Sequence, residues 1–187
     1  ARIPVLSLEG LFLDLNTIPH INLEQPWWNS SVTEELQIAG KLHFATGDIV
    51  ISHLKPMSVY AFNQKIAEDT GVENLYNVVN EHRWTIDYVN TLVAGQYVDL
   101  NGDGIRDAED RYGLICSSIN DADGYMQGFR ISMISRDENN LPVLEIDAER
   151  MSTIVEKVYA LMWENPGCYA TTDDSTDMLA FASDHAL

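Results

Sequence analysis

The chain has 187 residues, of which 45% are hydrophobic and 21% charged, a composition typical of a globular protein with one core or two small ones. Its 29 acidic residues outnumber its 11 basic ones, so the formal net charge is −18 at pH 7. We therefore expect no binding to nucleic acid or to an anionic membrane surface, since both are negatively charged. The longest apolar run, residues 158–163, is far shorter than the roughly 20 residues of a membrane-spanning helix.

The first part of the chain consists of short apolar stretches separated by turn residues. Apolar side chains around Gly10 predict a strand early in the chain. Asn29, Ser30 and Ser31 can cap a short helix, which Gly40 would end. The predicted elements here are strands within 1–20 and within 41–62, and helices over 33–38 and 64–69.

The second part shows clearer helix signals. Thr85 and Asp147 are good N-caps, and each is followed by apolar residues at helical spacing. The predicted elements are helices after Thr85 and Asp147 and over 125–135 and 175–181, strands over 112–116 and 143–146, and a turn at 137–140. Because strands alternate with helices, we expect an α/β fold.

The sharpest local motif is an acidic loop at residues 99–110. Its oxygen-bearing side chains follow the spacing of the twelve-residue calcium loop, with glycine at the sixth position. The predicted ligands are Asp99, Asn101, Asp103, Ile105 through its carbonyl, Asp107 and Asp110. We expect a structural calcium ion that ties the loop together; the alternative is a solvated Asp-Gly turn without metal.

Three aromatic residues are candidates for ligand contact. Trp27 and Trp28 follow a proline in a predicted loop, where they either stack on a sugar or apolar ligand or cap a core. Tyr125 is predicted to open a helix soon after a strand, and ligands of open α/β sheets gather beyond the carboxyl ends of strands. The sequence signatures of nucleotide-binding loops, serine hydrolases and zinc proteases do not occur. A glycosidase-like pair of carboxylates stays open, because the chain has many acidic residues and no spacing singles out a pair.

The two cysteines, Cys116 and Cys168, are too few to form a zinc site by themselves. We expect both to be small buried residues that remain thiols. A bridge between them is the alternative if the protein is extracellular.

Several stretches in a fixed order resemble the extracellular solute-binding proteins of ABC importers, in particular the sugar- and oligosaccharide-binding lipoproteins of Gram-positive gut bacteria. The ordered set extends over nearly the whole chain. It consists of 13–16, Pro26-Trp27-Trp28, 40–44, 62–65, Leu75-Tyr76, 83–87, Asp103-Gly104 and 112–114.

This resemblance implies a type II periplasmic-binding-protein-like fold, in which two α/β lobes enclose a ligand cleft. Residues 1–62 would be the end of the lobe-one segment with the first hinge crossing, and residues 63–187 the second lobe up to the return crossing. The chain would then be a middle portion of a longer protein. We expect these residues alone to bind oligosaccharide weakly or not at all, because they supply only part of the cleft.

The resemblance also implies roles for individual residues. Tyr125 corresponds to an aromatic residue at a helix start that faces the cleft, with Asp121 and Asp123 as acceptors for ligand hydroxyls. Residues that would line the cleft or its rim are Trp27, Trp28 and Asp48. The acidic loop resembles a calcium loop that many members carry between a helix and a strand.

The implied function is the capture of a sugar or oligosaccharide and its delivery to an ABC permease. The protein would be extracellular and held at the cell surface by an N-terminal lipid anchor that lies outside this chain. The alternatives are a carbohydrate-active enzyme with paired carboxylates and a calcium-stapled structural or adhesion module.

Overall fold

The computed structural model describes residues 3–48, 50, 59–118, 120–172, 179 and 181–187. It is a mixed α/β structure with two small sheets, which confirms the predicted α/β class. Its helices are α1 (Ile3–Leu8), a 3-10 turn (Leu15–Thr17), α2 (Ser30–Glu35), α3 (Gln64–Asp69), α4 (Leu75–Asn80), α5 (Ile86–Val93), α6 (Asn120–Gly128) and α7 (Ala148–Tyr159), which continues as a π-helical turn (Ala160–Glu164). Its strands are β1 (Leu114–Ser117), β2 (Ile134–Arg136), β3 (Pro142–Leu144) and β4 (Cys168–Thr171). Within the described segments, each helix is too short or too polar to cross a membrane.

The chain forms two compact units. Unit 1 comprises Ala1–Met57 and Ser132–Ile146, and unit 2 comprises Ser58–Ile131 and Asp147–Leu187. The expected lobe boundary after residue 62 concerns a longer two-lobed protein and stays a prediction.

Short polar side chains start the helices of unit 2. The Asn63 carboxamide accepts hydrogen bonds from the N–H groups of Lys65 and Ile66, and helix α3 has the predicted bounds. Thr85 caps α5 and Asp147 caps α7 in the same way, which confirms both predicted helix starts. The sequence reasoning missed α4, although Asn74 caps it by the same mechanism.

The main sheet of unit 2 is a parallel pair of strands covered by a helix. Strands β1 and β4 pair with Leu114 opposite Cys168 and Cys116 opposite Ala170. Ile154 and Val158 of α7 pack with both cysteines in one buried cluster. The predicted strand at 112–116 is therefore confirmed, with bounds shifted by one or two residues.

The region after β1 differs in register from the prediction. Helix α6 begins at Asn120 rather than at residue 125, because Asp121 and Asp123 suit the positively polarised first turn. It ends at Gly128, and residues 134–136 form β2 instead of the end of a helix. Strands β2 and β3 pair as an antiparallel hairpin, and the predicted turn at 137–140 is confirmed.

In unit 1, the predicted strand within residues 1–20 is wrong. The apolar run forms α1 instead, and Gly10 follows it with a positive φ of 76°. Before Gly10 the apolar segment is too short for periodicity to distinguish a helix from a strand. Helix α2 begins earlier than predicted, at Ser30, because Asn29 accepts a hydrogen bond from the Val32 N–H.

The strands predicted within residues 41–62 are absent at the described positions, where only isolated bridges such as Trp28 with Gly47 occur. This segment forms single backbone bridges with other parts of the same chain, and these bridges do not extend into a continuous strand pairing. Position 49 and positions 51–58 of that prediction lie outside the described residues, as does most of the predicted helix at 175–181.

Candidate functional site

The acidic loop is folded by hydrogen bonds between its own side chains and backbone. The Asp99 carboxylate accepts from the N–H groups of Gly102 at 2.6 Å and Gly104 at 3.0 Å. Both glycines have a φ of 75°, a conformation that costs a residue with a Cβ about 1 kcal/mol or more. The loop therefore turns where the calcium-loop pattern requires glycine.

The next oxygen-bearing side chains repeat one local turn. Asn101, Asp103 and Asp107 each accept a hydrogen bond from the N–H two residues further on, at 3.0, 2.7 and 2.9 Å. The Asn101 amide also donates to Asp103 and to Glu109, at 3.1 and 3.2 Å. The loop thus carries several hard oxygen atoms, the ligand type that calcium prefers, each held in a local turn.

Asp110, the proposed last ligand, is fully buried. Its two carboxylate oxygens accept hydrogen bonds from the Tyr97 hydroxyl at 2.9 Å and the Leu100 N–H at 3.1 Å. Burial and then the bond to Asp110 raise the pKa of Tyr97 to about 12, so this phenol is neutral and donates. Asp110 therefore anchors the loop from the inside.

The fit to a metal ion is partial. The donor set is chemically suited to calcium, and each accepting oxygen has a second lone pair. However, among the residues that the structure describes, there is no group of three or more acidic, histidine or cysteine side chains arranged to hold an ion. Ile105, whose backbone carbonyl completes the proposed set of six donors, has an exposed side chain.

Arg106 joins the loop to strand β4. Its guanidinium lies over the rings of Tyr97 and Tyr112, 5.4 and 5.8 Å from their centres, and donates to the carbonyls of Pro166 at 2.8 Å and Cys168 at 3.2 Å. The sequence reasoning missed this residue, since nothing in the local pattern connects position 106 to positions 166 and 168.

A second candidate site in unit 2 is an aromatic cluster formed by Tyr60, Trp84 and Tyr125. The hydroxyl groups of Tyr60 and Tyr125 are 2.5 Å apart, and the Tyr60 ring meets Trp84 edge to face with 5.2 Å between ring centres. Tyr60 is 46% exposed, while Trp84 and Tyr125 are half-buried. Burial raises the pKa of both tyrosines, so the cluster presents neutral hydroxyls beside aromatic faces.

The two aspartates expected beside Tyr125 have different surroundings. The Asp121 carboxylate accepts a hydrogen bond from the Ser117 N–H at 2.7 Å, which holds the start of α6 against the end of β1. Asp123 is exposed in the first turn of α6. The structure therefore brings Tyr125 together with Tyr60, a residue that the sequence did not single out.

The remaining candidates, Trp27, Trp28 and Asp48, lie together in unit 1. The Asp48 N–H donates to the Trp27 carbonyl at 2.8 Å, and Trp28 forms an antiparallel bridge with Gly47. A Cβ at Gly47 would lie 1.9 Å from the Trp27 carbonyl oxygen, so only glycine permits this approach. The Trp28 indole donates to the Asn22 carbonyl at 2.9 Å, while the Trp27 side chain is exposed.

Two open clefts at the surface do not contain these candidates. One, in unit 1, has a volume of about 430 Å³ and is lined by the end of α2 and Arg136. The other, in unit 2, has a volume of about 390 Å³ and is lined by Phe129 and the first turns of α7. The aromatic residues of unit 2 thus form a partly exposed surface rather than the wall of either cleft.

Comparisons with known proteins give no relative: no protein-family model matches the chain, and no curated protein or solved structure is significantly similar to it.

Proposed function

We propose that the chain is part of an extracellular solute-binding protein that captures a sugar or oligosaccharide and delivers it to an ABC permease. In this proposal the chain belongs to a two-lobed, type II periplasmic-binding-protein-like protein held at the cell surface by a lipid anchor. It acts by closing around its ligand and catalyses no reaction. The support is the ordered set of sequence stretches described above, together with the aromatic cluster of unit 2.

The aromatic cluster is the single observation that carries the choice of ligand. Tyr60, Trp84 and Tyr125 offer ring faces on which a sugar ring can stack, and the two phenols supply uncharged hydroxyl groups. Both phenols are neutral at physiological pH, and burial raises their pKa further, which suits a ligand that is polyhydroxylated and uncharged. Asp123, exposed two residues before Tyr125 on α6, is the proposed acceptor for ligand hydroxyls at a neighbouring face of the helix.

Saturation-transfer NMR tests this proposal, because it detects the weak binding expected of one lobe. Transfer from the protein to the ring protons of a panel of di- and trisaccharides should be seen with the unmodified chain. Tyr125→Ala should abolish it. Tyr159→Ala is the matched control, since Tyr159 is exposed on α7 and stacks on Trp163 outside the cluster. Equal transfer with the unmodified chain and with Tyr125→Ala would refute the assignment of ligand contact to the aromatic cluster.

A panel of chromogenic glycosides separates binding from catalysis. We expect no turnover. Hydrolysis that a single Asp or Glu substitution abolishes would instead establish the carbohydrate-active enzyme.

We further propose that the acidic loop binds a structural calcium ion. The support is the series of local turns at Asp99, Asn101, Asp103 and Asp107. The three aspartates among them carry negative charges that repel one another without a cation. The ion would hold the loop through these oxygens and thereby support Arg106, whose guanidinium reaches β4.

Thermal melts with calcium or with a chelator test the metal proposal. At a hundredfold excess over its dissociation constant, calcium stabilises the fold by about 2.7 kcal/mol, so it should raise Tm. Asp103→Ala should remove most of that response. Glu138→Ala, in the exposed turn at 137–140, should leave it intact. Identical melts of metal-free protein with calcium and with chelator would refute the site.

A further inference from the structure

The two cysteines of the chain lie side by side in the core of unit 2. Cys116 is on β1 and Cys168 on the neighbouring strand β4, and each is only 3% exposed. Their side chains point into the same buried cluster, with Sγ atoms 3.7 Å apart. Residues 52 positions apart in the sequence are thus held at sulfur contact distance by the fold.

The surroundings of the two sulfurs are apolar and adaptable. Ile154, Val158 and Met162 pack against them, and methionine tolerates small rearrangements of its neighbours. A disulfide has an S–S length of about 2.05 Å, so the sulfurs must approach by roughly 1.7 Å. Because Cys168 is opposite Leu114 rather than Cys116, the bridge would cross the two strands diagonally. Diagonal neighbours of this kind have Cα atoms about 7–8 Å apart, so a small shift of the strands must accompany rotation of both side chains.

We propose that Cys116 and Cys168 form a disulfide bond between β1 and β4 when the chain folds under oxidising conditions. In the reaction, a low-molecular-weight disulfide is the oxidant. The thiolate of one cysteine attacks it and releases one thiol. The thiolate of the second cysteine then attacks the resulting mixed disulfide and releases the other thiol. The protein loses two hydrogen atoms in total, and the oxidant is reduced to two thiols.

Because both thiols are buried, the oxidant reaches them during folding or in a locally opened state, and native packing then holds the bridge. The fold and the bridge are linked thermodynamically. If the native structure holds the two sulfurs close together, bridge formation is more favourable in the native chain than in the unfolded chain, where the two residues meet only by chance.

The experiment measures the equilibrium between the two thiols and a glutathione redox buffer, once in native buffer and once in 8 M urea. Mass spectrometry after acid trapping gives the fraction of protein that has lost two hydrogen atoms. We expect the equilibrium constant for bridge formation to be between about 30-fold and 1,000-fold larger in the native chain than in urea, the range that corresponds to typical disulfide stabilisation.

A native-to-urea ratio above about tenfold supports the proposal, and a ratio of tenfold or less overturns it. Formation of intermolecular dimers in place of the bridge also overturns it. The unmodified chain suffices for the measurement, so the conclusion does not depend on whether Cys116→Ser or Cys168→Ser folds. No sugar is added, and failure of the bridge would therefore leave the proposed binding function untouched.

Discussion

The two units of the molecule differ sharply in how much apolar surface they bury. Of the sixteen hydrophobic residues that are buried in the described part of the chain, Leu42 belongs to unit 1 and the other fifteen to unit 2. In their described parts, both units expose eleven large apolar side chains, so unit 1 differs in burying few of its apolar residues rather than in exposing more. Those of unit 1 are Val5, Leu8, Leu11, Leu13, Trp27, Leu36, Met133, Ile134, Val143, Leu144 and Ile146.

Unit 1 is held largely by polar contacts to the backbone. Asp14 accepts from the Leu42 N–H at 3.2 Å, and the His43 ring lies 3.0 Å from the Leu13 carbonyl. Arg136 donates to the carbonyls of Gln37 and Glu35 at the end of α2. Such bonds replace bonds to water and each contribute only about 1 kcal/mol, whereas burial of a leucine contributes about 2 kcal/mol. We therefore infer that unit 2 contributes most of the free energy of unfolding, and that unit 1 contributes little to it.

Hydrogen exchange should show the largest difference between the units. We expect backbone amides of α5 and α7 to exchange at least about a hundredfold more slowly than those of α1 and α2, because opening of unit 1 exposes little new apolar surface. Mass spectrometry of peptic peptides measures this directly. Equal protection of the two units would break the comparison.

Truncating a buried side chain of unit 2 should lower the free energy of unfolding by several kcal/mol more than truncating an exposed side chain of unit 1. Leu161→Ala should lower the free energy of unfolding by about 2–5 kcal/mol, since the side chain is fully buried among Val89 and Val93. Leu144→Ala, at 72% exposure in unit 1, should change it by less than about 0.5 kcal/mol. Urea titration gives both values.

Leu42→Ala sharpens this test, because Leu42 is the one buried hydrophobic residue among those that the structure describes in unit 1. We expect it to speed exchange in unit 1 while leaving the main urea transition in place. A loss of global stability as large as that of Leu161→Ala would mean that the units unfold together.

Removal of Arg136 should have an intermediate effect confined to unit 1. Arg136→Gln should destabilise α2 and the β2–β3 hairpin by about 1.5–3 kcal/mol, the typical contribution of hydrogen bonds from a charged group. Exchange of α2 amides measures it. Lys41→Gln removes a positive charge from an exposed site of the same unit and should leave those amides unchanged.

The smallest expected effect is a pH dependence that belongs to unit 2. The hydrogen bond from Arg83 holds the pKa of Glu73 below its ordinary value. A carboxyl group whose pKa is lowered by folding stabilises the fold at pH values above its ordinary pKa. This contribution is lost as the pH falls through the pKa of the folded state. We expect the urea midpoint of Glu73→Gln to fall less than that of the unmodified chain between pH 5 and pH 3. Glu68→Gln, exposed on α3, should match the unmodified chain.

How far the sequence predicts this structure depends on the range of the interaction. The caps at Asn63, Thr85 and Asp147 act within three residues, so the helices that follow them could be predicted. The apolar stripe of α7 was also predictable, because a helix must bury one face.

Contacts between distant positions could not be predicted in the same way. Tyr60 meets Tyr125 across 65 positions and Arg106 reaches Cys168 across 62, and no local pattern encodes either contact. The helix α1 was missed for a different reason, since an apolar run without a cap fits two structures equally well. At the acidic loop, the spacing indicated a bend at the glycine in the sixth position, Gly104, but not the burial of Asp110 behind Tyr97.

The parallel pairing of β1 with β4 has a consequence for the rate of folding. Helix α6, the β2–β3 hairpin and α7 all lie between these strands in the chain, so the sheet of unit 2 can form only after a large loop has closed. Long-range pairing of this kind slows folding, because the entropy of closure is lost before the contacts form. During that delay Leu114 and Ile115 present an unprotected strand edge, which exposes this strand to aggregation.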